Sequence, residues 1–384
     1  MRFEFATATR IIFGRGVLQE MAPLAANLGR KAIIITGRST DRAEQLFESL
    51  EKQKIDSFLF HVSTEPTTDT VREGTEIARQ ALCNMVIGIG GGSVMDTGKA
   101  IAAILANEGD VLDYLEVIGK GKPITRRSAP YIAIPTTAGT GAEVTKNAVL
   151  RSPEHKVKVS MRSLLMLPRL AVVDPLLTVS MPPDITASTG LDALTQLLEA
   201  FVYHKQNPLT DGICREGLKR AAGSLRRAYT EGEDLSARED MSLASLFGGL
   251  ALANAGLGAV HGFAGPLGGM FSAPHGKVCA SLLPFVLEAN IQAIKSRTPN
   301  SPALIRFNEL AALLTGNPDA SIQEGVSWIH DLCQDLNVPS LSSFGIKEED
   351  IPAVVEKSRK SSSMKGNPVD LTDEELTQIL KKAL

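Results

Sequence analysis

Residues 85–99 read MVIGIGGGSVMDTGK. An apolar run of strand length passes into three consecutive glycines, Gly90, Gly91 and Gly92, and a helix is expected from near Ser93, with Asp96 in its first turn. Glycines let backbone N–H groups come close to an anion, and the amino end of a helix adds unpaired donors and a positive dipole. Such a turn suits a pyrophosphate. A plain tight turn between strand and helix has the same appearance, and the loop alone does not separate the two. Asp96 suits a helix start on dipole grounds in either case.

Around this loop, β-like apolar runs alternate with amphipathic stretches of helix length. The runs are KAIII at 31–35, SFLFHV at 57–62, MVIGI at 85–89, PYIAI at 130–134 and LAVV at 170–173. That rhythm predicts a parallel sheet covered by helices. Phe3, Phe5, Ile11 and Phe13 lie in two short alternating runs expected to pair as an edge hairpin. NAVL at 147–150 and KVKVS at 156–160 predict another. The loop PTTAGTGAEVT at 135–145 follows the fourth run and holds Thr136, Thr137 and Thr140; hydroxyls and flexible backbone at a strand's carboxyl end suit a nucleotide's ribose and phosphates.

Past Pro182 and Pro183 the β-branched runs largely stop, and the periodicity is helical, with breaks expected at Asn207-Pro208, Gly265-Pro266, Asn317-Pro318 and Asn367-Pro368. The sequence therefore predicts an α/β domain over 1–180 and an all-helical domain over 181–384, as the length of 384 residues also suggests. Within the helical part, residues 241–276 contain no Asp, Glu, Lys or Arg, yet include His261 and His275 in HGFAGPLGGMFSAPHG. Upstream, GLDALTQLLEA sets Asp192 and Gln196 four apart on one helix face. Two imidazoles and a carboxylate suit Fe(II) or Zn(II) with open positions for water or substrate. Hydrogen-bonded core histidines are the competing reading.

A net charge of −3, with 43% hydrophobic and 22% charged residues, gives no electrostatic footprint for nucleic acid or an anionic membrane. The four cysteines, Cys83, Cys214, Cys279 and Cys333, form no CxxC pair and read as free thiols of a reducing cytosol. The start, MRFEFATATRIIFGRG, has no apolar run of signal-peptide length, so a cytoplasmic location is expected. The segment LASLFGGLALANAGLGAVHG is too rich in Gly and Ala, and too interrupted by Asn254 and His261, to read as a membrane span.

Taken in order, GGGSVMDTGK, PTTAGTGAEVT, GLDALTQLLEA and HGFAGPLGGMFSAPHG resemble the iron-containing (group III) alcohol dehydrogenases, from IIFGRG through to NPVDLTDEEL. The resemblance implies a dehydroquinate synthase-like fold: a Rossmann-like domain binding NAD(P), a helical domain holding one divalent metal, an active site in the cleft between, and a homodimer. It places Gly90, Gly91, Gly92, Ser93 and Asp96 at the pyrophosphate, Thr136, Thr137, Thr140 and Lys156 along the cofactor, and Asp192, His261 and His275 as catalytic metal ligands. Two positions depart from the family. Its fourth ligand is a His four residues after the Asp, where this chain has Gln196, and a second His in HxxxH is replaced by Gly265. An amide oxygen is a poorer ligand than imidazole for these metals, so a more weakly bound Fe(II) or Zn(II) is expected.

After the first dinucleotide-fold strand, an acidic residue would repel a 2′-phosphate. Here Gly37, Arg38, Ser39 and Thr40 stand in that place and favour NADP over NAD. The expected reaction is hydride transfer between the nicotinamide and a small aldehyde or primary alcohol, since the charge-free stretch predicts apolar walls. Alternatives are a glycerol-type dehydrogenase, a dehydroquinate-synthase-like lyase, a metal-independent carbonyl reductase and a nucleotide-binding, non-catalytic homologue.

Overall fold

The computed structural model describes residues 2–37, 41–155, 157–271 and 273–384, and for residues 41–43 the backbone alone. By contact the chain divides into two compact units. One holds Ala6–Thr137 and Gly141–Thr178; the other holds Val179–Leu384, the chain up to Phe5, and Ala138–Thr140.

The strands of the first unit are β1 (Ile11–Phe13), β2 (Lys31–Thr36), β3 (Asp56–His61), β4 (Met85–Gly90), β5 (Tyr131–Pro135), β6 (Asn147–Ser152), β7 (Val157–Arg162) and β8 (Leu170–Val173). Six of them form a parallel sheet in the order β1-β8-β5-β4-β2-β3. Both faces are covered, as continuous apolar strands require. Ile33, Ile35, Val86 and Ala133 enter one core, while their alternate neighbours Ala32, Ile34, Met85, Ile87, Ile132 and Ile134 enter the other. Each such buried Ile contributes roughly 1.5–3 kcal/mol. The helices of this unit include α1 (Asp41–Lys52), α2 (Thr68–Gln80), whose amino end Thr67 caps, and α3 (Gly92–Ala106). In this order the chain leaves β2 for β3 on one side and returns to β4 on the other. The carboxyl ends of β2 and β4 therefore flank the switch point where open α/β sheets bind ligands.

The second hairpin forms as expected: β6 and β7 pair antiparallel from Asn147↔Arg162 to Ser152↔Val157. The first does not. Ile11–Phe13 joins β8 in parallel, with Ile11 opposite Ala171, and Phe3 and Phe5 belong to no strand. Alternation gave Ile11–Phe13 its strand character. Its partner is set by a long-range match, in which Thr9 N–H donates to the Pro168 carbonyl at 3.0 Å and Ala171 N–H to that of Arg10 at 2.9 Å.

The second unit is helical: α4 (Pro183–Val202), α5 (Pro208–Thr230), α6 (Leu235–Asn254), α7 (Ala259–Phe271), α8 (His275–Arg297), α9 (Pro302–Thr315), α10 (Ile322–Asp335), α11 (Ile351–Arg359) and α12 (Asp373–Ala383). Helix α4 is buried at every position from Gly190 to Val202, and it packs against α5, α6 and α8. A helix buried on all sides belongs at a centre, and the polar side chains it carries there, Asp192, Gln196 and Glu199, are the exception. Asn207 caps α5, with Pro208 as its first residue, as the sequence suggests. The break expected at Gly265-Pro266 is absent, because Pro266 lies inside α7. An interior proline costs about 3 kcal/mol, and burial of Val260, Phe263, Ala264 and Leu267 along the same helix offsets it. The true break is earlier. Helices α6 and α7 meet at 95°, through Gly256 at φ 153, where a Cβ would lie 2.7 Å from the Tyr203 ring. LASLFGGLALANAGLGAVHG spans this bend. Among the described residues one helix, α8, is long and apolar enough to cross a membrane, and most of it is buried in the helical core.

Candidate active site

In the first unit, the glycine turn joins β4 to α3. The helix starts at Gly92 with Gly91 extended before it and no side chain capping it, so its donor end is bare. Thr136 N–H donates to the Gly90 carbonyl at 2.9 Å, and Thr137 stands beside Gly91, 3.4 Å from where a Cβ would be. The two threonines thus border the loop. Gly37 follows β2 at the switch point, and Val94 lies between it and Gly90. Arg38, Ser39, Thr40 and Lys156 lie outside the described residues. Thr140 groups by contact with the helical unit.

Asp96 falls one residue deeper into α3 than expected, just past its first turn, since the helix begins at Gly92. Its carboxylate accepts from Val149 N–H at 3.1 Å and lies 3.2 Å from Lys99 Nζ, tying α3 to β6. Lys99 is fully buried and donates to the Ala142 carbonyl, Thr145 Oγ1 and the Asn147 carbonyl. Nearby, burial pushes the Glu143 carboxyl up to about 7.

In the second unit, Asp192, Gln196, His261 and His275 come together. Asp192 and Gln196 share a face of α4. Gly276 lets α8 settle against that helix, since a Cβ there would lie 2.5 Å from the Ser188 carbonyl oxygen. This contact seats His275, the first residue of α8, with its Nε2 3.7 Å from Asp192 Oδ1. His261, in the first turn of α7, brings its Nε2 to 3.3 Å from the same oxygen. The two rings lie 5.4 Å apart between centroids. Cys279, one turn beyond His275, joins them, and one ligand atom from each of Asp192, His261, His275 and Cys279 falls within 4.8 Å of all the others.

Glu199 governs His261. One carboxylate oxygen meets the ring's Nδ1 at 2.7 Å, and the other accepts from Val260 N–H at 2.7 Å, at the amino end of α7. Gly258 makes room for it, since a Cβ there would lie 2.9 Å from Glu199 Oε1. With Nδ1–H given to Glu199, a neutral ring presents a bare Nε2 lone pair to Asp192 Oδ1. Both atoms, and Gln196 Oε1, are buried without a hydrogen-bond partner. Orphaned acceptors facing one another are costly unless a cation lies between them. The donor set of one carboxylate, two imidazoles and a thiol therefore fits a divalent transition metal.

The electrostatics agree. Burial opposes ionisation of Asp192, yet the facing His275 and His261 outweigh it and hold the carboxyl below its ordinary range. Cys279 and Asp192, against the effect of burial, raise His275 to about 9. His261 is also raised well above its ordinary value, as Cys279, Asp192 and Glu199 together overcome burial. The cluster attracts positive charge, which protons or a metal ion can supply.

Residues 8–175 match the family pattern described as iron-containing alcohol dehydrogenase, and residues 186–384 match the carboxyl-terminal pattern of the Fe-containing alcohol dehydrogenase family. The chain belongs to the iron-containing alcohol dehydrogenase family. It is 35% identical over 377 residues to alcohol dehydrogenase 4 of Saccharomyces cerevisiae, covering 97% of this chain and 96% of that one. It is 33% identical to the 1,3-propanediol dehydrogenase of Citrobacter freundii, covering 92% of each. A crystal structure of 1,3-propanediol oxidoreductase superposes with a TM-score of 0.92 at 32% identity, over 100% of both chains. The sulfoacetaldehyde reductase of Bifidobacterium kashiwanohense, solved with NAD+, gives 0.88 at 30% identity, over 100% of this chain and 99% of that one. The sequence resemblance and the fold class it implied both stand, as does the assignment as an oxidoreductase.

Two residues of this candidate site carried no assignment from the sequence. Glu199 lies seven positions after Asp192, on the same face of α4, and that spacing was a usable signal. Cys279 carried only its spacing of four from His275. Glu199→Gln is expected to lower affinity for Zn(II) by about tenfold, the lower end of what outer-shell partners contribute. Competition with a chromophoric chelator measures it, and an unchanged affinity would mean that packing alone orients the His261 ring.

Proposed function

We propose that this protein is a metal-dependent alcohol dehydrogenase that moves a hydride between NAD(P)H and a small aldehyde or primary alcohol, with NADP(H) preferred. The observation that carries this reading is the convergence of Asp192, His261 and His275, with orphaned Asp192 and His261 atoms among them, in a chain that also keeps the glycine turn. Asp192, His261 and His275 would hold Fe(II) or Zn(II), which when bound polarises a carbonyl oxygen and lowers the pKa of an alcohol. The bare amino end of α3 and Gly90–Ser93 take the pyrophosphate, and Thr136, Thr137 and Thr140 line the cofactor. Gly37 carries no carboxylate to repel a 2′-phosphate, which supports NADP(H).

In the reducing direction a bound nicotinamide would supply the hydride to the carbonyl carbon, and the oxygen would then need a proton. Gly265 cannot supply that proton; a Cβ there would meet nothing within 4 Å, so the position is open space. The proton comes from water or the cofactor ribose. Glu199 keeps His261 in the tautomer that faces Asp192, a positioning role. A cytoplasmic homodimer completes the proposal.

The test is anaerobic oxidation of NADPH and NADH with a panel of small aldehydes, on chelator-stripped protein and after adding Fe(II), Zn(II), Mn(II) or Ni(II). Activity is expected to return with metal and to be faster with NADPH. Activity indifferent to metal would overturn the metal's role, and faster turnover with NADH would overturn the cofactor preference. Nucleotide binding with no turnover under any condition would favour a non-catalytic homologue.

A further inference from the structure

We propose that the Cys279 thiolate is the fourth protein ligand of the metal, so that Asp192, His261, His275 and Cys279 form a mixed oxygen, nitrogen and sulfur set that selects Zn(II). The inference rests on the metal-dependent reading above and names the chain's own four ligand atoms; a substrate oxygen would enter as a fifth ligand, an expansion that catalytic zinc sites allow.

The first support is geometric. A tetrahedral zinc ion with Zn–N and Zn–O bonds of about 2.0–2.2 Å and a Zn–S bond of about 2.3 Å requires N–O edges of about 3.4 Å and N–S edges of about 3.6 Å. The corresponding separations are 3.3 Å between His261 Nε2 and Asp192 Oδ1, 3.7 Å between His275 Nε2 and Asp192 Oδ1, and 3.8 Å between His275 Nε2 and Cys279 Sγ. These three edges lie within about 0.3 Å of the tetrahedral values, and every other pair of ligand atoms falls within 4.8 Å. His275 and Cys279 sit one turn apart on α8, the spacing that points two side chains at one point.

The second support is independent of the cysteine. Asp192 Oδ1 and His261 Nε2 are buried, unpartnered and directed at the space that Sγ borders. A buried cysteine by itself packs as a small hydrophobe, but apolar packing does not require two orphaned acceptors beside it. Gln196 does not fill the vacant ligand role. Its orphaned Oε1 lies beside Gly248, 3.2 Å from where a Cβ would stand. Gln196 offers only a neutral amide oxygen, a poorer donor for these metals than the Cys279 thiolate.

The chemistry balances simply. The thiol gives its proton to solvent as the S–Zn bond forms, with no change of oxidation state. A thiolate ligand shifts selectivity towards zinc relative to an all-oxygen-and-nitrogen set.

X-ray absorption at the zinc edge, on the full chain loaded with one equivalent of Zn(II), tests this directly. One sulfur scatterer at about 2.3 Å is expected. It should disappear in Cys279→Ala, with a loss of zinc affinity of about tenfold or more, and it should persist in Gln196→Ala. A shell of nitrogen and oxygen alone in the unaltered protein would overturn the Cys279 assignment and leave metal-dependent catalysis intact. Failure to take up zinc, iron or any other divalent ion in chelator competition would overturn both. The measurement on the unaltered protein does not depend on how well either variant folds.

Discussion

His261→Ala is expected to lower aldehyde reduction by on the order of 10³-fold, the scale seen when a group that stabilises transition-state charge is removed. The reason lies in how much one ring does. Its Nε2 is one of the two orphaned acceptors facing each other across the site, and its Nδ1 satisfies Glu199, which is itself buried. Alanine would remove a proposed ligand and also strand a carboxylate, so metal affinity should fall with turnover. Nucleotide binding should not follow, because the glycine turn belongs to the other compact unit. Stopped-assay turnover, metal analysis and a fluorescence titration with NADPH, taken together, check the prediction. Turnover near the unaltered level would remove the metal from the mechanism, and lost NADPH binding would point to general misfolding.

Gly90→Ala should give the complementary phenotype: affinity for NADPH reduced by at least tenfold, about 1.4 kcal/mol, with zinc affinity unchanged. A Cβ at Gly90 would lie 2.5 Å from Val94 Cγ2 and 2.8 Å from Val94 Cβ. Val94 is β-branched and buried in the first turn of α3, so it has little freedom to yield. The overlap must instead shift the turn whose bare N–H groups would take the pyrophosphate in the proposed reading. The same fluorescence titration measures the loss. Affinity within about twofold of normal would show that the turn absorbs a methyl group and that the glycine is not required for phosphate approach.

The parallel sheet was legible because its strands are short apolar runs separated by helices, a pattern that local sequence carries by itself. The partner of Ile11–Phe13 was not legible, since parallel pairing is fixed by residues some 160 positions away rather than by a turn. Pro266 misled for a related reason. Proline signals a break from local propensity, and tertiary burial of α7 overrode it. At the site, Asp192, Gln196, His261 and His275 were found from residue type and spacing, and the structure brings them together. Glu199 was signalled only by its spacing of seven from Asp192, and Cys279 only by its spacing of four from His275. Only the fold shows that each faces an imidazole.

Asn367 lies far along the chain from the histidines, yet its side chain accepts from Ala259 N–H at 3.1 Å and from Asn290 at 3.1 Å, and donates to the Val369 carbonyl at 2.8 Å. Ala259 opens the helix that carries His261, and Asn290 belongs to the helix that carries His275. Both imidazole-bearing helices are therefore pinned by a residue that the ribosome delivers long after the ligands themselves. A nascent chain that has exposed Asp192, His261 and His275 still lacks this pin. The mutual placement of the two imidazoles is thus completed only once the chain has been made past Asn367.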